Sequence, residues 1–286
     1  MTPRCAQSGG SRRGPPIADQ PQPRYCAPTP TDWRQSESVQ PTTPLQPATS
    51  PCPLTVVVAC HNEQTAIAAV VHKCRQACEL NTQILVVDDG STDDTANQAL
   101  QAGAQVLRLA VNGGKGAALR AGFAAAHGDW IATIDGDGQD DPAELPLLRA
   151  AVTADVGLVI GSRFRGKLER GAILAVNLVG NLALTATFDL LYGQPISDTQ
   201  AGFRLIRGDL ARGMQLRSSQ YEIETEVLAQ VLRAGWRVVE VPVTRRARVG
   251  GTTDFRRVAN GLKILAMMIR CRFGKLGACR SISTRS

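Results

Sequence analysis

Residues 133–142 read Thr-Ile-Asp-Gly-Asp-Gly-Gln-Asp-Asp-Pro, and the rest of the chain is best understood from this stretch outward. An apolar run, Trp130 to Ile134, leads into it and stops abruptly in four acids within seven positions. A short apolar run that ends in polar residues is typical of a buried strand whose carboxyl end faces a ligand. The stretch therefore predicts an α/β fold with a site at one edge of its sheet.

Three oxygen-bearing side chains occupy every second position in this stretch. Asp135 and Asp137 lie one residue apart at the strand end, so both carboxylates project to the same side, and Gln139 continues the pattern. Oxygen donors separated by glycines suit a hard cation such as Mg²⁺ or Mn²⁺. An acidic loop that leads into a helix beginning at Pro142 explains the same residues equally well, so spacing alone leaves both interpretations open.

Further apolar, β-branched runs repeat the arrangement of a strand followed by polar residues. They are Leu54–Cys60 before His61-Asn62-Glu63, Ile84–Asp88 before Asp89, Val106–Leu109, and Val156–Ile160 before Gly161-Ser162-Arg163. Predicted helices separate the first of these strands, which implies right-handed crossovers and a mainly parallel sheet. Ligands of such sheets bind at the carboxyl ends of the strands.

A glycine-rich turn precedes one of these helices, at residues 112–119. It is not a P-loop, because Ala117 follows Gly116 and the GxxxxGK[ST] spacing is absent. Lys115 lies between glycines at the predicted helix start, where it can meet an anion.

The two ends of the chain differ from its centre. Residues 1–53 hold 12 of the 16 prolines and little apolar periodicity, so this tail is predicted to be disordered, as are residues 275–286. Residues 245–286 carry 11 basic residues and one acid, a net charge of +10 against +7 for the whole chain. Such an end suits an anionic partner. A lipid headgroup layer fits better than nucleic acid, because zinc-finger spacing and aromatic RNA-binding motifs are absent from the sequence.

Two predicted helices suggest contact with a membrane. Residues 171–188 form an uncharged run of 18. Polar residues at intervals of four (Asn177, Asn181, Thr185, Asp189) favour an amphipathic helix, packed against the sheet or on the membrane surface, over a membrane span. The helix predicted within 255–274 places an apolar face (Val258, Leu262, Leu265, Ile269) beside a more polar one (Arg256, Asn260, Lys263, Arg270). This pattern is typical of an interfacial helix, although a terminal helix packed on the domain is the alternative. We expect a cytoplasmic protein, peripheral on a membrane, with reduced thiols.

Taken together, these motifs resemble the family-2 glycosyltransferases of GT-A fold, and among them the dolichol-phosphate mannosyltransferase-like, or polyprenyl-phosphate glycosyltransferase, branch. The resemblance covers about residues 54–255. It implies one GT-A domain at residues 54–254, with a Rossmann-like mixed, mainly parallel sheet flanked by helices. The motifs that carry it are His61-Asn62-Glu63, Asp88-Asp89-Gly90-Ser91 with Asp93, Gly114-Lys115-Gly116, Asp135-Gly-Asp137-Gly-Gln139, Gly161-Ser162-Arg163, Asp198 with Gly202-Phe203-Arg204, Glu226, and Glu240-Val-Pro242 followed by Arg248.

The resemblance implies a role for each matching residue. The implied metal ligands are Asp135, Asp137 and Gln139, which would hold Mg²⁺ or Mn²⁺ on the donor diphosphate. The implied substrate-binding residues are Asn62, Glu63, Asp88, Asp89, Lys115, Arg163 and Arg248. The implied catalytic residues are Asp137, Asp198, Arg204 and Glu226.

The activity implied by the resemblance is inverting transfer of a sugar, mannose or glucose, from a nucleoside diphosphate sugar to a polyprenyl or dolichyl phosphate. A hydroxyl acceptor needs a general base, whereas a phosphate monoester is already largely ionised at neutral pH, so the acceptor decides whether Asp198 or Glu226 acts as a base. Transfer to a saccharide or other hydroxyl is one alternative. A non-catalytic nucleotide-sugar-binding protein is another, because Ala59, His61 and Asp254 depart from the family pattern.

Overall fold

The structure is a computed structural model that describes residues 39–41, 53–173, 175–248 and 257–274. The strands are β1 (Val39–Pro41), β2 (Leu54–Cys60), β3 (Gln83–Asp88), β4 (Gln105–Leu109), β5 (Trp130–Asp135), β6 (Val156–Leu168), β7 (Arg204–Arg207) and β8 (Arg237–Arg245). The helices are α1 (Ile67–Ala77), α2 (Thr95–Gln101), α3 (Lys115–Ala125), α4 (Leu145–Ala150), α5 (Ala175–Tyr192), α6 (Gly208–Gly213), α7 (Ile223–Arg233) and α8 (Arg257–Phe273). A 3₁₀ turn, Pro142–Glu144, precedes α4.

The strands form one mixed sheet in the order β1-β4-β3-β2-β5-β7-β6-β8. The neighbouring strands β4, β3, β2 and β5 are parallel, and β6 is parallel to β8. β7 runs antiparallel between β5 and β6, and β1 pairs antiparallel with β4. The predicted mixed, mainly parallel sheet flanked by helices is confirmed.

Two apolar layers, one on each face of the sheet, explain the continuous apolar strands. Every residue of β2 is buried, because Val56 and Val58 pack with α1 while Val57 and Ala59 pack with α3. A strand covered on both faces has no need of polar alternation. Register then brings the strand ends together, since Ala59 of β2 pairs with Asp135 and Cys60 pairs with Asp88.

Helix α5 presents its polar stripe to the protein rather than to solvent. Thr185 is buried in this stripe, whereas Val179 and Leu190 on the opposite face are 66% and 86% exposed. Within the described residues, neither α5 nor any other helix has the length and hydropathy needed to cross a bilayer.

The apolar face predicted for α8 is exposed, and a different face of the helix is buried. Asn260, assigned to the polar face, is 8% exposed, while Leu262 and Ile269, assigned to the apolar face, are 63% and 47% exposed. The buried face is formed instead by Ile264, Met267, Met268 and Cys271. Those residues pack with α5 and α7 in the core layer. The spacing of apolar residues in the sequence does not distinguish this buried face from the exposed apolar face.

The predicted tails fall mostly outside the described residues. Residues 1–38, 42–52 and 275–286 lie there, as do Asp254 and Arg256, and Val39–Pro41, within the segment predicted to be disordered, pairs with β4. The division into a domain at 54–254 and an interface helix at 255–274 stays a prediction.

Candidate active site

The carboxyl ends of β2, β3 and β5 gather the predicted polar residues at one edge of the sheet. Asn62 adopts a left-handed backbone conformation with φ of 55° and binds the loop after β3, its Oδ1 accepting from the Thr92 N–H at 2.8 Å. Asp88 is fully buried, accepts from the Ser91 N–H at 3.0 Å and pairs with Arg108 at 3.2 Å. These two residues hold the loops that carry the site.

Asp89 fastens the glycine-rich turn to the end of β3. Its two carboxylate oxygens accept from the N–H groups of Gly113 at 2.8 Å and Gly114 at 2.7 Å. Burial raises the pKa of Asp89, and the two N–H groups oppose that rise. At Gly114 φ is 87°, and a Cβ there would lie 2.4 Å from the carbonyl oxygen of Ser219, so only glycine fits without a shift.

Lys115 joins two carboxylates, one of them buried. Its Nζ lies 2.7 Å from Oδ1 of Asp135 and 3.0 Å from Oε1 of Glu224, and Glu224 in turn lies 3.2 Å from Nε of Arg204. Burial disfavours the Lys115 ammonium, but Asp135 and Glu224 outweigh burial and raise its pKa. Burial likewise disfavours the Asp135 carboxylate, but Lys115 and Arg245 lower its pKa.

Asp137 lies among arginines from the end of β8. Its Oδ2 is 3.4 Å from Nη1 of Arg248 and 3.7 Å from Nη2 of Arg245, and Arg245 also pairs with Asp140 at 2.7 Å. Burial, together with the nearby charge of Asp135, raises the pKa of Asp137. A cation bound beside Asp137 would be favourable, because it would offset a carboxylate charge that burial and Asp135 both destabilise.

Asp135 and Asp137 fit a hard divalent cation, with the remaining positions left to water and phosphate oxygens. Gln139, the third predicted ligand, is engaged elsewhere: its Nε2 donates to the carbonyls of Ala172 at 3.2 Å and Arg246 at 3.0 Å, and its Oε1 accepts from Arg245 at 2.9 Å. Among the residues that the structure describes, His, Cys, Asp and Glu form no metal-holding group of three. The protein therefore offers two carboxylates, with Gln139 as a predicted third ligand.

Glu63 and Tyr221 lie near the same charged groups, Asp135, Asp137 and Arg248. Glu63 binds Nη2 of Arg248, and burial raises the pKa of Glu63 to about 7 against the opposing charge of Arg248. Burial also raises the pKa of Tyr221, whose charged neighbours include Lys115 and Asp135. Sequence reasoning missed Tyr221 and Glu224 as site residues. The signal available was their place in Tyr221-Glu-Ile-Glu224-Thr-Glu, a cluster of acids at a helix start.

Three predicted catalytic residues are engaged with other protein groups. Asp198 is fully buried and accepts from Arg163 at Nε and Nη2, both at 2.7 Å. Arg204 donates to three carbonyls, those of Ala201, Glu224 and Thr199. Glu226 accepts from the backbone N–H groups of Arg217 and Ser218, at 2.8 to 3.1 Å. Their catalytic roles stay predictions.

Acids at the strand ends of this α/β sheet, with cations facing them, match the site that the resemblance to nucleotide-sugar transferases implies. The profile of the family described as "Glycosyl transferase family 2" matches residues 55–212, and the chain belongs to this family. The prediction that the protein is a glycosyltransferase is confirmed.

Two relatives come from the branch that the sequence motifs resemble. The chain is 31% identical over 216 residues to a polyprenol monophosphomannose synthase of Mycolicibacterium smegmatis, covering 69% of this chain and 79% of the relative. It is 29% identical over 220 residues to a dolichol-phosphate mannosyltransferase of Pyrococcus furiosus, covering 71% of this chain and 59% of the relative. The chain thus spans less than two thirds of the second protein.

The fold also resembles that of a solved enzyme. A crystal structure of glucosyl-3-phosphoglycerate synthase from Mycobacterium tuberculosis, in complex with Mn²⁺ and UDP-glucose, superposes with a TM-score of 0.63 at 23% identity. The match covers 77% of this chain and 79% of that one. At this identity the likeness establishes the GT-A fold.

Proposed function

We propose that this protein transfers a hexose from a nucleoside diphosphate sugar to a polyprenyl phosphate, with inversion, on the cytoplasmic surface of a membrane. The observation that carries the proposal is that both candidate general bases, Asp198 and Glu226, are occupied. Arg163 binds both oxygens of Asp198, and backbone N–H groups bind both oxygens of Glu226. Both side chains are also fully buried, so neither is placed to meet an acceptor hydroxyl. An acceptor phosphate, which attacks as an anion, requires no base.

The cations at the site support a donor and an acceptor that are both anionic. Arg163, with a side chain 10% exposed, and Arg248, at 23%, can each offer N–H groups to a phosphate. Lys115 balances Asp135 and Glu224. We assign Arg248 to the donor diphosphate, because it contacts Asp137 and Glu63, and Arg163 to the acceptor phosphate.

A divalent ion belongs to this proposal. Asp135 and Asp137 would hold Mg²⁺ or Mn²⁺, which supplies positive charge that offsets the charge developing on the leaving diphosphate. The Mn²⁺ in the solved structure of similar fold is in keeping with this choice. Asn62, Asp88 and Asp89 would shape the nucleoside pocket by fixing its loops.

The exposed surfaces of α5 and α8 support membrane contact. The outward face of α5 combines exposed apolar residues, Val176, Val179, Leu182 and Leu190, and α8 adds Leu262, Ile269 and Phe273. Exposed cations, Lys263, Arg270 and Arg272, lie on α8 among these residues. Apolar side chains interleaved with basic ones suit an interface rich in anionic lipid.

The proposal is tested by incubating the protein with radiolabelled nucleotide sugars, a short polyprenyl phosphate and Mn²⁺. We expect a chloroform-soluble labelled product that disappears with chelator and in Asp137→Ala. The matched control is Asp141→Ala, an acid of the same loop that pairs with Arg246, and it should keep most of the activity. Metal-dependent donor binding without a lipid product from any donor would refute the proposal that polyprenyl phosphate is the acceptor.

One observation favours a hydroxyl acceptor as the second candidate. A carboxyl group with a pKa of about 7, such as that of Glu63, matches what a general base needs at neutral pH. Under this alternative, a screen of saccharide and small hydroxyl acceptors yields a labelled product, and Glu63→Gln abolishes it while donor binding is retained.

A further inference from the structure

The segment 196–201, which connects α5 with β7, is bound by side chains from three directions. It contains Asp198, the partner of Arg163, and ends beside Gly202. A Cβ at Gly202 would lie 2.7 Å from Nζ of Lys115 and 3.0 Å from Oδ2 of Asp135. The segment therefore runs directly against the predicted metal-binding carboxylate, and its position determines where Arg163 lies relative to that carboxylate.

From β8, Glu240 binds the centre of the segment. Its carboxylate accepts from the Ser197 N–H at 2.9 and 3.0 Å, from the Ser197 hydroxyl at 2.9 Å and from the Asp198 N–H at 3.0 Å. The side chain is 2% exposed, and Arg165 pairs with it at 3.2 Å. A buried carboxylate with this many donors is firmly fixed.

From α5, two residues of the polar stripe bind both ends of the same turn. The Thr185 hydroxyl lies 3.1 Å from the Thr199 hydroxyl and accepts from the Thr199 N–H at 3.4 Å. Asp189 accepts from the Ile196 N–H through its Oδ1 at 3.0 Å. This explains why α5 turns its polar stripe inward: these side chains satisfy backbone groups of the turn.

From β7, Arg204 binds the last part of the segment, donating to the carbonyls of Thr199 at 2.8 Å and Ala201 at 2.6 Å. Asp198, in the middle, also accepts from the Arg163 N–H at 3.1 Å, in addition to its two bonds with the guanidinium. Arg163 therefore has its position set by the segment through both backbone and side chain.

We propose that Glu240 and Thr185 are positioning residues, which hold the 196–201 segment so that Arg163 is aimed at the acceptor phosphate. The inference rests on the proposed function, because it takes the acceptor to be a phosphate. It adds two residues that do not touch the substrate and act only through Asp198 and Arg163. Losing either one should weaken acceptor binding and leave donor binding intact.

The chain offers a matched pair of variants on one helix. Thr185→Val removes a hydroxyl that binds the segment, whereas Thr187→Val removes one that donates to the carbonyl of Ala183 in the same helix at 2.8 Å. We expect Thr185→Val to raise the KM for polyprenyl phosphate about fivefold, in keeping with the loss of one hydrogen bond. The KM for the donor sugar should stay within about twofold. Thr185→Ser should restore the acceptor KM, and Glu240→Gln should reproduce the Thr185→Val effect.

Each outcome has one meaning. Equal acceptor KM values for Thr185→Val and Thr187→Val, with the wild type active, overturn the positioning role and leave the proposed function standing. Parallel losses for donor and acceptor, or a lowered melting temperature that Thr185→Ser does not restore, indicate a merely structural role and also overturn it. A wild type that makes no lipid product in the same assay removes the proposed function and the inference together.

Discussion

Asp198 and Arg163 form a two-point ion pair in which Oδ2 lies 2.7 Å from Nε and Oδ1 lies 2.7 Å from Nη2. The Asp198 side chain is fully buried and that of Arg163 is 10% exposed. Such a fork fixes the plane of the guanidinium as well as its distance. Asp198 therefore orients an arginine, a role that differs from the proton transfer expected of a base.

The substitution Asp198→Asn separates these two roles. If Asp198 orients Arg163, the amide of the variant keeps part of the geometry, so we expect a higher acceptor KM and a pH profile of kcat unchanged in shape. If Asp198 is a base, the same substitution should reduce kcat by about 10²- to 10⁴-fold at saturating acceptor. Steady-state kinetics from pH 6 to 9 distinguish the two. A collapse of kcat with an unaltered acceptor KM would contradict the orienting role.

Removing Lys115 should destabilise the protein strongly. Lys115→Met leaves Asp135 and Glu224 facing each other with their shared cation gone, and breaking a buried pair in this way costs about 3–5 kcal/mol. The free energy of unfolding in urea measures the loss. The control is Lys167→Met on the exposed end of β6, expected to change stability by about 0.5 kcal/mol or less. Similar values for the two variants would show that Lys115 contributes little.

Glu63 makes stability depend on pH in a defined direction. Its folded pKa of about 7 lies above the ordinary value of 4.5, so the folded protein binds the extra proton. The ionised form is disfavoured by folding, and the stability of the wild type falls as pH rises from about 4.5 to about 7. Glu63→Gln, which cannot ionise, should gain stability relative to the wild type across that window.

Unfolding in urea at pH 5 and pH 8 measures the difference in stability between Glu63→Gln and the wild type. We expect the advantage of Glu63→Gln in free energy of unfolding to grow by about 1–3 kcal/mol between pH 5 and pH 8, because folding raises the pKa of Glu63 from 4.5 to about 7. Glu79→Gln, at an exposed ion pair with Arg149, serves as the control and should show no comparable trend. A constant difference between Glu63→Gln and the wild type at both pH values would rule out this effect.

The outward face of α5 should govern binding to lipid. Leu190 is 86% exposed, so Leu190→Asp changes the surface with little effect on the core. Placing a charge where an apolar side chain enters the interface should weaken vesicle binding about tenfold or more. Co-sedimentation with phosphatidylglycerol vesicles measures it. Leu80→Asp, an exposed leucine after α1, is the matched control, and equal binding by both variants would place the contact elsewhere.

The local features of this chain follow from its sequence. Continuous apolar runs predict strands buried on both faces, and β2, β3 and β5 are such strands. Asp89 and Asp135 follow or end those runs, and parallel strands bring their carboxyl ends to one edge. Period and position along the chain were sufficient for these predictions, because they depend on neighbouring residues only.

Pairings between distant residues required the tertiary structure. The sequence gives no sign that Asp198 would meet Arg163 from 35 positions away, or that Glu240 would bind the turn beside it. It shows a polar stripe on α5 and an apolar face on α8, but not which way either faces. The direction depends on the groups that the rest of the fold places nearby. Helix α5 turns its polar side chains towards N–H groups of the 196–201 segment, which they satisfy. Helix α8 buries Met267 and Met268 in a core layer formed by strands and helices far apart in the chain.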